Sequence, residues 1–389
     1  MLQSETDIAD AIKAATDGLH IVGGGTRPIG RPVDGIPLSV AGLSGITLYE
    51  PGSLTLVAKA GTPLAEIETA LAGENQRLAF EPMDHRTVLG TKGTPTIGGV
   101  VAANVSGPRR ISVGACRDFL LGVRFVNGSG EIVKNGGRVM KNVTGYDLVK
   151  LMAGSYGTLG AMTEVSLKVL PNVEAAATLT FADLPLDKSI ALMSRALGSP
   201  FEVTGAARTN NDTHLRIEGF AGSVAYRSDA LRTLLKDFGE ANISNVPKVH
   251  AKTWADVKDV KGFAKHTALW RVSLRPSQSA AFINELQQSY PVDYALDWGG
   301  GLIWIAAKQE QMDEIANIHS SESGAAILHA SLQQSAASIG GHAALIKGPI
   351  DLRKAVPSFQ PESAGVAVIT QGLRARFDPR GILNPGLMT

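Results

Sequence analysis

The spacing of apolar positions near the start of the chain predicts short helices and strands. Ile8, Ile12 and Ala15 recur at helical spacing behind Ser4, a residue type that favours the N-terminal cap of a helix. The run NGSG at 127–130 lies between two stretches rich in β-branched and aromatic residues, which is typical of a β-hairpin. The early chain is therefore predicted to be built from short elements of both kinds.

Over residues 173–350, strand-like runs alternate with longer helical runs. Leu231, Leu234 and Phe238, for example, recur at helical spacing. This pattern predicts an antiparallel sheet with helices on one face. Residues 247–263 are polar and are predicted to form a mobile loop. The strand-like runs cover 177–181, 215–220, 269–274, 292–297 and 302–306, and the helical runs cover 186–197, 226–238, 277–290 and 309–319.

The end of the chain returns to a helical rhythm. Val366, Ile369 and Phe377 predict one apolar stripe of a helix, and the sequence FDPRGILNPG follows it. The whole pattern predicts an α+β chain. Its predicted parts are 1–172, 173–355 and 356–389.

Composition narrows the possible functions. The 389 residues carry a formal net charge of +1, which gives no electrostatic case for binding nucleic acid. No apolar run reaches the ~18 residues that a membrane span needs, and the acidic, amphipathic start does not have the pattern of a signal peptide. The one cysteine, Cys116, cannot form an internal disulfide or hold an iron–sulfur cluster, which normally takes four ligands. These features favour a reducing compartment and an electron acceptor on another polypeptide.

The run TPTIGGVVAANVSGPRR at 94–110 is the strongest candidate for a cofactor site. The pair Gly98-Gly99 permits close approach of a ligand to the backbone, and successive N–H groups at the following turn could hold an anion. Asn104 adds a fixed donor and acceptor. A glycine-rich turn between core elements explains the same residues equally well.

Two further stretches, together with this one, resemble the flavin domain of the vanillyl-alcohol-oxidase/PCMH superfamily. They are IVGGGTRPIG at 21–30 and the run at 141–171, which contains GTLGAMTEV. In that superfamily, loops of these three kinds enclose FAD. The resemblance covers roughly residues 1–172 in the right order. It implies a PCMH-type FAD-binding domain of two α+β subdomains, followed by a cap domain with an antiparallel sheet and helices.

The resemblance also implies the contacts of the cofactor. Backbone N–H groups of the first loop would hold the pyrophosphate, and Arg27 could pair with a phosphate. Thr26 stands in a loop where members with covalent FAD can carry histidine, so non-covalent FAD is expected. Pro82 and Met83 would lie beside the flavin, and the backbone after Gly160 would meet the adenine side. The implied FAD-binding residues are Gly23, Gly24, Gly25, Thr26, Arg27, Pro28, Pro82, Met83, Thr96, Ile97, Gly98, Gly99, Ala102, Asn104, Gly107, Gly160, Ala161, Met162 and Val165.

Within the superfamily, three runs are most similar to the second FAD-binding subunit of bacterial glycolate oxidases. They are ANVSGPRR at 103–110, GGRVMKNVTGYDL at 136–148 and WGGGLIW at 298–304. This resemblance implies a subunit that works with a catalytic FAD-binding subunit and an iron–sulfur subunit in converting glycolate to glyoxylate. It implies a cytoplasmic location, or attachment to the inner membrane through partners. The ending at 377–386 implies that the C-terminal segment packs back on the flavin domain, where Asn384 approaches the flavin or only shapes a turn.

The chain lacks two motifs that catalytic members of this branch carry, a histidine-rich metal loop of the HGDGNxH kind and a later EHG. We therefore assign no metal ligands and no catalytic base. Two alternatives stay open. The chain could be a self-sufficient FAD-dependent oxidase or dehydrogenase of another hydroxy acid or alditol, or it could be a non-catalytic structural subunit.

A few polar residues outside the implied cofactor set carry a chemical interpretation. Arg109, Arg110 and Arg117 could bind a small carboxylate substrate, since guanidinium groups match carboxylates geometrically. They could equally form a subunit contact or solvated charges. His85 is interpreted as a polar loop residue, and Cys116 as an inert buried thiol.

Overall fold

The computed structural model of the chain describes residues 2–138, 145–320 and 323–388. It divides into two compact units, and the division falls within the glycine-rich run at 94–110. The first unit comprises Met1–Ser106, Gly114–Asn172 and Pro361–Thr389, and the second comprises Gly107–Val113 and Val173–Gln360.

Both units contain strands and helices. The strands are β1 (Leu19–Val22), β2 (Ile36–Ser39), β3 (Ile46–Glu50), β4 (Thr55–Lys59), β5 (Gln76–Arg77), β6 (Leu120–Val126), β7 (Ile132–Gly136), β8 (Ala161–Lys168), β9 (Leu170–Pro171), β10 (Ala175–Phe181), β11 (Gly205–Thr209), β12 (Asp212–Gly219), β13 (Asn242–Ser244), β14 (Ala268–Ser273), β15 (Asp293–Asp297), β16 (Leu302–Ala307) and β17 (His342–Lys347). The helices are α1 (Glu5–Ala14), α2 (Leu64–Gly73), α3 (Arg86–Leu89), α4 (Ile97–Ala102), α5 (Arg110–Val113), α6 (Cys116–Phe119), α7 (Leu148–Met152), α8 (Leu186–Leu197), α9 (Ala221–Leu234), α10 (Pro247–Lys258), α11 (Pro276–Ser289), α12 (Gln309–Ile318), α13 (Gly324–Ser338), α14 (Ile350–Ala355) and α15 (Ala364–Phe377).

The predicted N-terminal helix is confirmed as α1. The hydroxyl of Ser4 accepts a hydrogen bond from the N–H of Asp7 at 3.0 Å, and the Asp7 carboxylate accepts one from the N–H of Ser4 at 2.9 Å. This reciprocal capping satisfies two donors that a helix start leaves unpaired. At the other end, the guanidinium of Arg380 donates to the carbonyl of Ala15 at 3.0 Å. A cation at a helix C-terminus also complements the helix dipole.

The main sheet of the first unit has the antiparallel strand order β3-β4-β8-β6-β7. Its central strands carry fully buried residues such as Leu56, Val165 and Phe125. The predicted hairpin at 127–130 joins β6 to β7, and the side chain of Asn127 accepts hydrogen bonds from two N–H groups of the turn. The predicted hairpin is therefore confirmed as β6 and β7.

The C-terminal tail extends the small parallel sheet of β1 and β2. The N–H of Leu19 donates to Ile382 at 2.7 Å, and the N–H of Asn384 donates back to Leu19 at 2.9 Å. The buried side chain of Asn384 accepts from the N–H of Ile21 and donates to the carbonyl of Tyr156, both at 2.7 Å. Asn384 therefore anchors β1 within the first unit.

The second unit contains an eight-stranded antiparallel sheet with the order β13-β10-β12-β11-β15-β16-β14-β17. The five strands predicted for this region are all present in it, and α8 has the predicted bounds of 186–197. Helices pack on the sheet through a continuous apolar core that includes Trp270, which is fully buried.

The prediction of a mobile loop at 247–263 is wrong. This segment contains helix α10, which begins at Pro247, a favoured first residue because its missing N–H is not needed there. Trp254 and Val257, three residues apart, are buried on one side of the helix. The indole N–H of Trp254 donates to the hydroxyl of Thr178 at 3.0 Å, so two apolar side chains fix an otherwise polar helix.

The predicted C-terminal helix is present as α15, but its apolar stripe is not buried within this chain. Val366 is 50% exposed and Ile369 is 65% exposed. No residue of α15 is buried among the described residues. Across the ranges that the structure describes, no helix combines the length and the apolar character needed to span a bilayer.

Candidate cofactor site

The first glycine-rich loop leaves β1 at Val22 and lies directly on the backbone of residues 93–96. A Cβ atom added to Gly24 would stand 1.5 Å from the carbonyl oxygen of Thr94, and one added to Gly93 would stand 1.8 Å from the carbonyl oxygen of Gly24. Such distances leave no room for any side chain. The glycine at position 24 is therefore required by contact between two backbone segments.

The same loop presents a run of unused hydrogen-bond donors. Within the described residues, no hydrogen bond is donated by the backbone N–H groups of 23–27. The backbone at Gly25 has a φ of +67°, and a Cβ added there would meet nothing within 4 Å. A loop with free N–H groups, a left-handed glycine and open space beside it is suited to bind an anion.

Arg27 places a positive charge at this loop. Its Nε donates to Nδ1 of His85 at 3.2 Å, whereas its Nη2 is buried and has no hydrogen-bond partner in the described part of the chain. Burial lowers the pKa of Arg27 to about 10, so the guanidinium still carries its charge at neutral pH. A buried cation with an unpaired N–H group favours an anionic ligand, because it is costly to leave unpaired.

The second glycine-rich stretch forms the start of α4 and uses its donors within the protein. The N–H of Ile97 donates to Thr62 at 3.0 Å, that of Gly98 donates to Ala60 at 2.8 Å, and that of Gly99 donates to the Thr96 hydroxyl at 3.3 Å. These three N–H groups already donate within the protein, so none of them is available to a phosphate.

Close packing explains the two glycines of α4. A Cβ added to Gly98 would stand 2.7 Å from both the Cβ and the carbonyl oxygen of Ala60. One added to Gly99 would stand 3.3 Å from Nη1 of Arg27. Gly98 thus lets α4 lie against the end of β4, and Gly99 makes room for the arginine of the first loop.

Four other predicted residues belong to the first unit, and three of them are buried. Pro82 and Met83 are buried just before His85. Thr26 is buried, and its carbonyl accepts a hydrogen bond from the Thr91 hydroxyl at 3.1 Å. Pro28 is exposed directly after the loop.

The predicted residues from the end of α4 onward are divided between the two units: Ala102 and Asn104 belong to the first, and Gly107 belongs to the second. The carbonyl of Ala102 accepts from the N–H of Tyr156 at 2.9 Å, and the side chain of Asn104 accepts from the N–H of Arg117 at 3.0 Å. Asn104 itself has a φ of +46°. Gly107 belongs to the second unit, where its carbonyl accepts from the indole of Trp298 at 3.1 Å.

The last predicted segment forms the start of β8. Ala161, Met162 and Val165 are buried within the five-stranded sheet. A Cβ added to Gly160 would stand 2.5 Å from the ring of Phe125, so packing against β6 explains this glycine. Part of the run at 136–148, residues 139–144, lies outside the described residues.

The three arginines considered for a carboxylate substrate have different environments. Arg109 donates from Nε and Nη2 to the two oxygens of Glu218, both at 2.7 Å, so its bidentate face is already occupied by a protein carboxylate. The guanidinium of Arg110 lies 4.5 Å from the ring centre of Trp298. Arg117 has a side chain that is 54% exposed. Arg109 and Arg110 belong to the second unit, and Arg117 belongs to the first.

Cys116 is fully buried, and burial raises its pKa above the ordinary range, so it stays a thiol. This agrees with its interpretation as an inert residue. Within 2–138, 145–320 and 323–388, no three or more His, Cys, Asp or Glu side chains are grouped so that they could hold a metal ion.

The sequence interpretation missed the contact between Arg27 and His85. The two residues are 58 positions apart, and neither lies in a spacing that marks a pair. His85 is 6% exposed rather than solvated in a loop. A histidine two residues after the Pro82-Met83 pair was the only available signal.

Comparisons with known proteins identify the class of protein to which this chain belongs. Residues 1–136 match the FAD binding domain family. The structure of 4-ethylphenol oxidase from Gulosibacter chungangensis has the same fold, with a TM-score of 0.71, 13% identity, and coverage of 99% of this chain and 88% of that one. The chain is therefore an FAD-dependent oxidoreductase with a PCMH-type FAD-binding fold.

Curated relatives define the family. Glycolate oxidase subunit GlcE of Escherichia coli is 34% identical over 364 residues, which cover 92% of this chain and 89% of that protein. D-2-hydroxyglutarate dehydrogenase of Xanthomonas citri is 28% identical over 367 residues, covering 85% of this chain and 75% of that one. The chain belongs to the GlcE family of glycolate oxidase subunits.

Proposed function

We propose that this chain is the FAD-binding subunit of a complex that oxidises glycolate to glyoxylate and passes the electrons to a partner subunit. The proposal takes the substrate and the subunit role from the GlcE relative, which the chain resembles over most of both lengths. The single cysteine supports a reducing, cytoplasmic location and an electron acceptor on another polypeptide.

One observation carries the cofactor assignment: the run of unused N–H groups at 23–27 lies beside the unpaired Nη2 of Arg27. The diphosphate of FAD is a dianion that can accept several hydrogen bonds at once. Bonds to charged groups contribute about 1.5–3 kcal/mol each, so a few of them would hold the cofactor without a covalent link. Thr26 offers no nucleophile of the histidine kind in this loop.

The other predicted residues take supporting roles in this proposal. Thr96 packs against the first loop at Gly23, Gly99 leaves room for Arg27, and Gly98 and Gly160 allow the close packing of the elements that carry them. Pro82 and Met83 stay proposed contacts of the flavin, the start of β8 stays a proposed contact of the adenine side, and Asn104 stays a proposed FAD-binding residue. When bound, FAD supplies the two-electron redox chemistry, whereas the chain binds, orients and shields it.

The partners are proposed as a second, catalytic FAD-binding subunit and an iron–sulfur subunit. The sequence of this chain has no HGDGNxH or EHG motif, so the base for the substrate hydroxyl is assigned to the catalytic subunit. The role of this chain is then to hold a second flavin and relay electrons.

The test is an anaerobic spectrum of the purified chain, with and without its co-expressed partners. We expect the chain alone to show a flavin spectrum that glycolate does not bleach, and the complex to be bleached within a few turnovers. A matched complex that contains Gly24→Ala in this chain should lose the corresponding part of its flavin absorbance.

Three results would contradict different parts of the proposal. Bleaching of the isolated chain by glycolate would identify a self-sufficient oxidoreductase. Full turnover of the complex after this chain is removed would contradict a role in electron transfer. Loss of flavin from the chain with full flavin in the complex would move the binding determinants to the partners.

A further inference from the structure

A cavity lies in the second unit. Its volume is about 350 Å³, at the small end of the range for ligand sites. It is formed where β15 begins and β16 ends, next to the turn between β11 and β12. The residues of its wall that matter here are Arg208, Lys265, His266, Asp293, Tyr294 and Lys308.

The charge of this cavity is unbalanced. Arg208, Lys265 and Lys308 contribute three positive charges, against one carboxylate, Asp293. That carboxylate accepts a hydrogen bond from Nε2 of His266 at 2.7 Å. In the described part of the chain, neither lysine lies within 4.0 Å of a carboxylate. The excess of positive charge favours an anion.

Two buried polar atoms of the wall have no hydrogen-bond partner among the described residues. They are Nε of Arg208 and Nδ1 of His266, and these side chains belong to residues that are 5% and 7% exposed. The remaining guanidinium nitrogens of Arg208 donate to Leu184 at 2.9 Å and to Asn211 at 3.3 Å. A buried unpaired polar atom costs about 1–3 kcal/mol, so a polar ligand has stabilisation to contribute here.

Aromatic groups complete the wall. The guanidinium of Arg208 lies 5.8 Å from the ring centre of Tyr294, and the ring of Phe263 meets that of His266 edge-on at 5.0 Å. The wall therefore offers apolar surface to the carbon skeleton of a ligand and cations to its charged groups. This combination fits a small organic anion better than a bare ion.

The cavity is distinct from the segment that follows the candidate cofactor loops. Gly107 and Arg110 contact Trp298, which directly follows β15 at its C-terminal end. Asp293 is at the opposite end of that strand, about 13 Å away at the usual rise per residue.

We propose that this cavity binds a small dianionic metabolite, either a dicarboxylate or a phosphate monoester. Arg208, Lys265 and Lys308 bind its charged groups. His266, held by Asp293, lies against its skeleton with the side of the ring that carries Nδ1. Nothing in the proposal depends on the substrate that the flavin oxidises.

The test is calorimetric titration of the full chain, saturated with FAD so that the cofactor site does not take up anions. The probes are inorganic phosphate and malonate at fixed ionic strength. The test variant is Lys265→Ala with Lys308→Ala, two exposed positions that should not disturb folding. The matched control is Lys188→Ala with Lys248→Ala, which removes the same charge from exposed positions outside the cavity.

We expect at least one probe to bind with a dissociation constant of about 1 mM or below. The test variant should bind it at least about tenfold more weakly, whereas the control should stay within about twofold of the wild type. Binding of phosphate alone would identify a phosphate ester as the ligand class, and binding of malonate alone a dicarboxylate. Equal affinity in both variants, or no binding of either probe, would overturn the proposal.

Discussion

The two glycine-rich stretches of the first unit look alike in sequence but differ in what their backbone can still do. At 23–27 the N–H groups donate no hydrogen bond among the described residues. At the start of α4 the N–H groups of Ile97 and Gly98 donate to carbonyls of the segment after β4. The first stretch is open to a ligand, and the second is part of the packing.

This difference shows what a glycine run can and cannot indicate. A glycine permits close approach, but the approaching group can be a ligand or another backbone. At Gly98 the approaching group is Ala60, whereas at Gly25 no atom would lie within 4 Å of an added Cβ, which leaves space for a ligand. The decisive property is whether the donors are used, and that depends on residues far away in sequence.

The largest expected effect comes from Gly24→Ala. A Cβ atom at this position would overlap the carbonyl oxygen of Thr94 at 1.5 Å, so the loop must leave its place on residues 93–96. We expect FAD binding to fall by more than about a hundredfold, since several charged hydrogen bonds are lost together. Flavin absorbance per chain after gel filtration measures this.

The control for that variant is Gly52→Ala, a turn glycine at which an added Cβ would meet nothing within 4 Å. It should retain FAD at the wild-type level. Circular dichroism separates a displaced loop from an unfolded chain. Normal FAD retention by Gly24→Ala would show that the cofactor does not depend on the first loop.

A smaller but more specific effect is expected for Arg27→Met. The change removes one or two hydrogen bonds to a phosphate, so FAD affinity should fall about 10- to 150-fold. The stability of the cofactor-free chain should change little, because a buried Nη2 without a partner is removed together with the hydrogen bond to His85. Fluorescence titration with FAD and urea unfolding measure the two quantities.

The exposed Arg86, which pairs with Asp84 at 2.7 Å, provides the matched control as Arg86→Met. A surface pair of this kind contributes about 0–1 kcal/mol, so both quantities should hardly change. If Arg27→Met loses stability and keeps its affinity, the arginine is a packing residue.

Gly98→Ala tests the other side of the comparison. The added methyl group would stand 2.7 Å from Ala60, and overpacking of this kind costs about 1–3 kcal/mol of unfolding free energy. FAD affinity should change by less than about threefold, because no donor for a phosphate is lost. Gly73→Ala, at the open end of α2, is the control and should be neutral or slightly stabilising. A large loss of FAD with unchanged stability would show that the start of α4 serves FAD binding and not packing.

Local sequence signals were sufficient for much of the fold. Ser4 and the apolar spacing behind it predicted α1, and the amphipathic pattern predicted α8 with its bounds. The FAD motifs also indicated the correct cofactor class. Such features depend on residues within one or two turns of each other, which is the range that periodicity reports.

The missed features all depend on contacts between distant residues. α10 needs Thr178, which is 76 residues away from its Trp254. Asn384 anchors Ile21 across 363 residues. The exposure of the apolar stripe of α15 could not be predicted, because periodicity reports an apolar side of a helix and not what covers it.

The smallest change in free energy is expected at His85, whose Nδ1 accepts a hydrogen bond from Arg27. If His85 positions the guanidinium, His85→Leu should weaken FAD binding about three- to tenfold, and His85→Gln, which keeps an acceptor, should recover part of it. A packing role alone would give no such recovery. The sharper measurement is a double-mutant cycle, since His85→Leu should have no further effect on FAD affinity once Arg27 is methionine. Additive losses would mean that His85 acts independently of the arginine, and the first loop would then have to hold its charge without a partner.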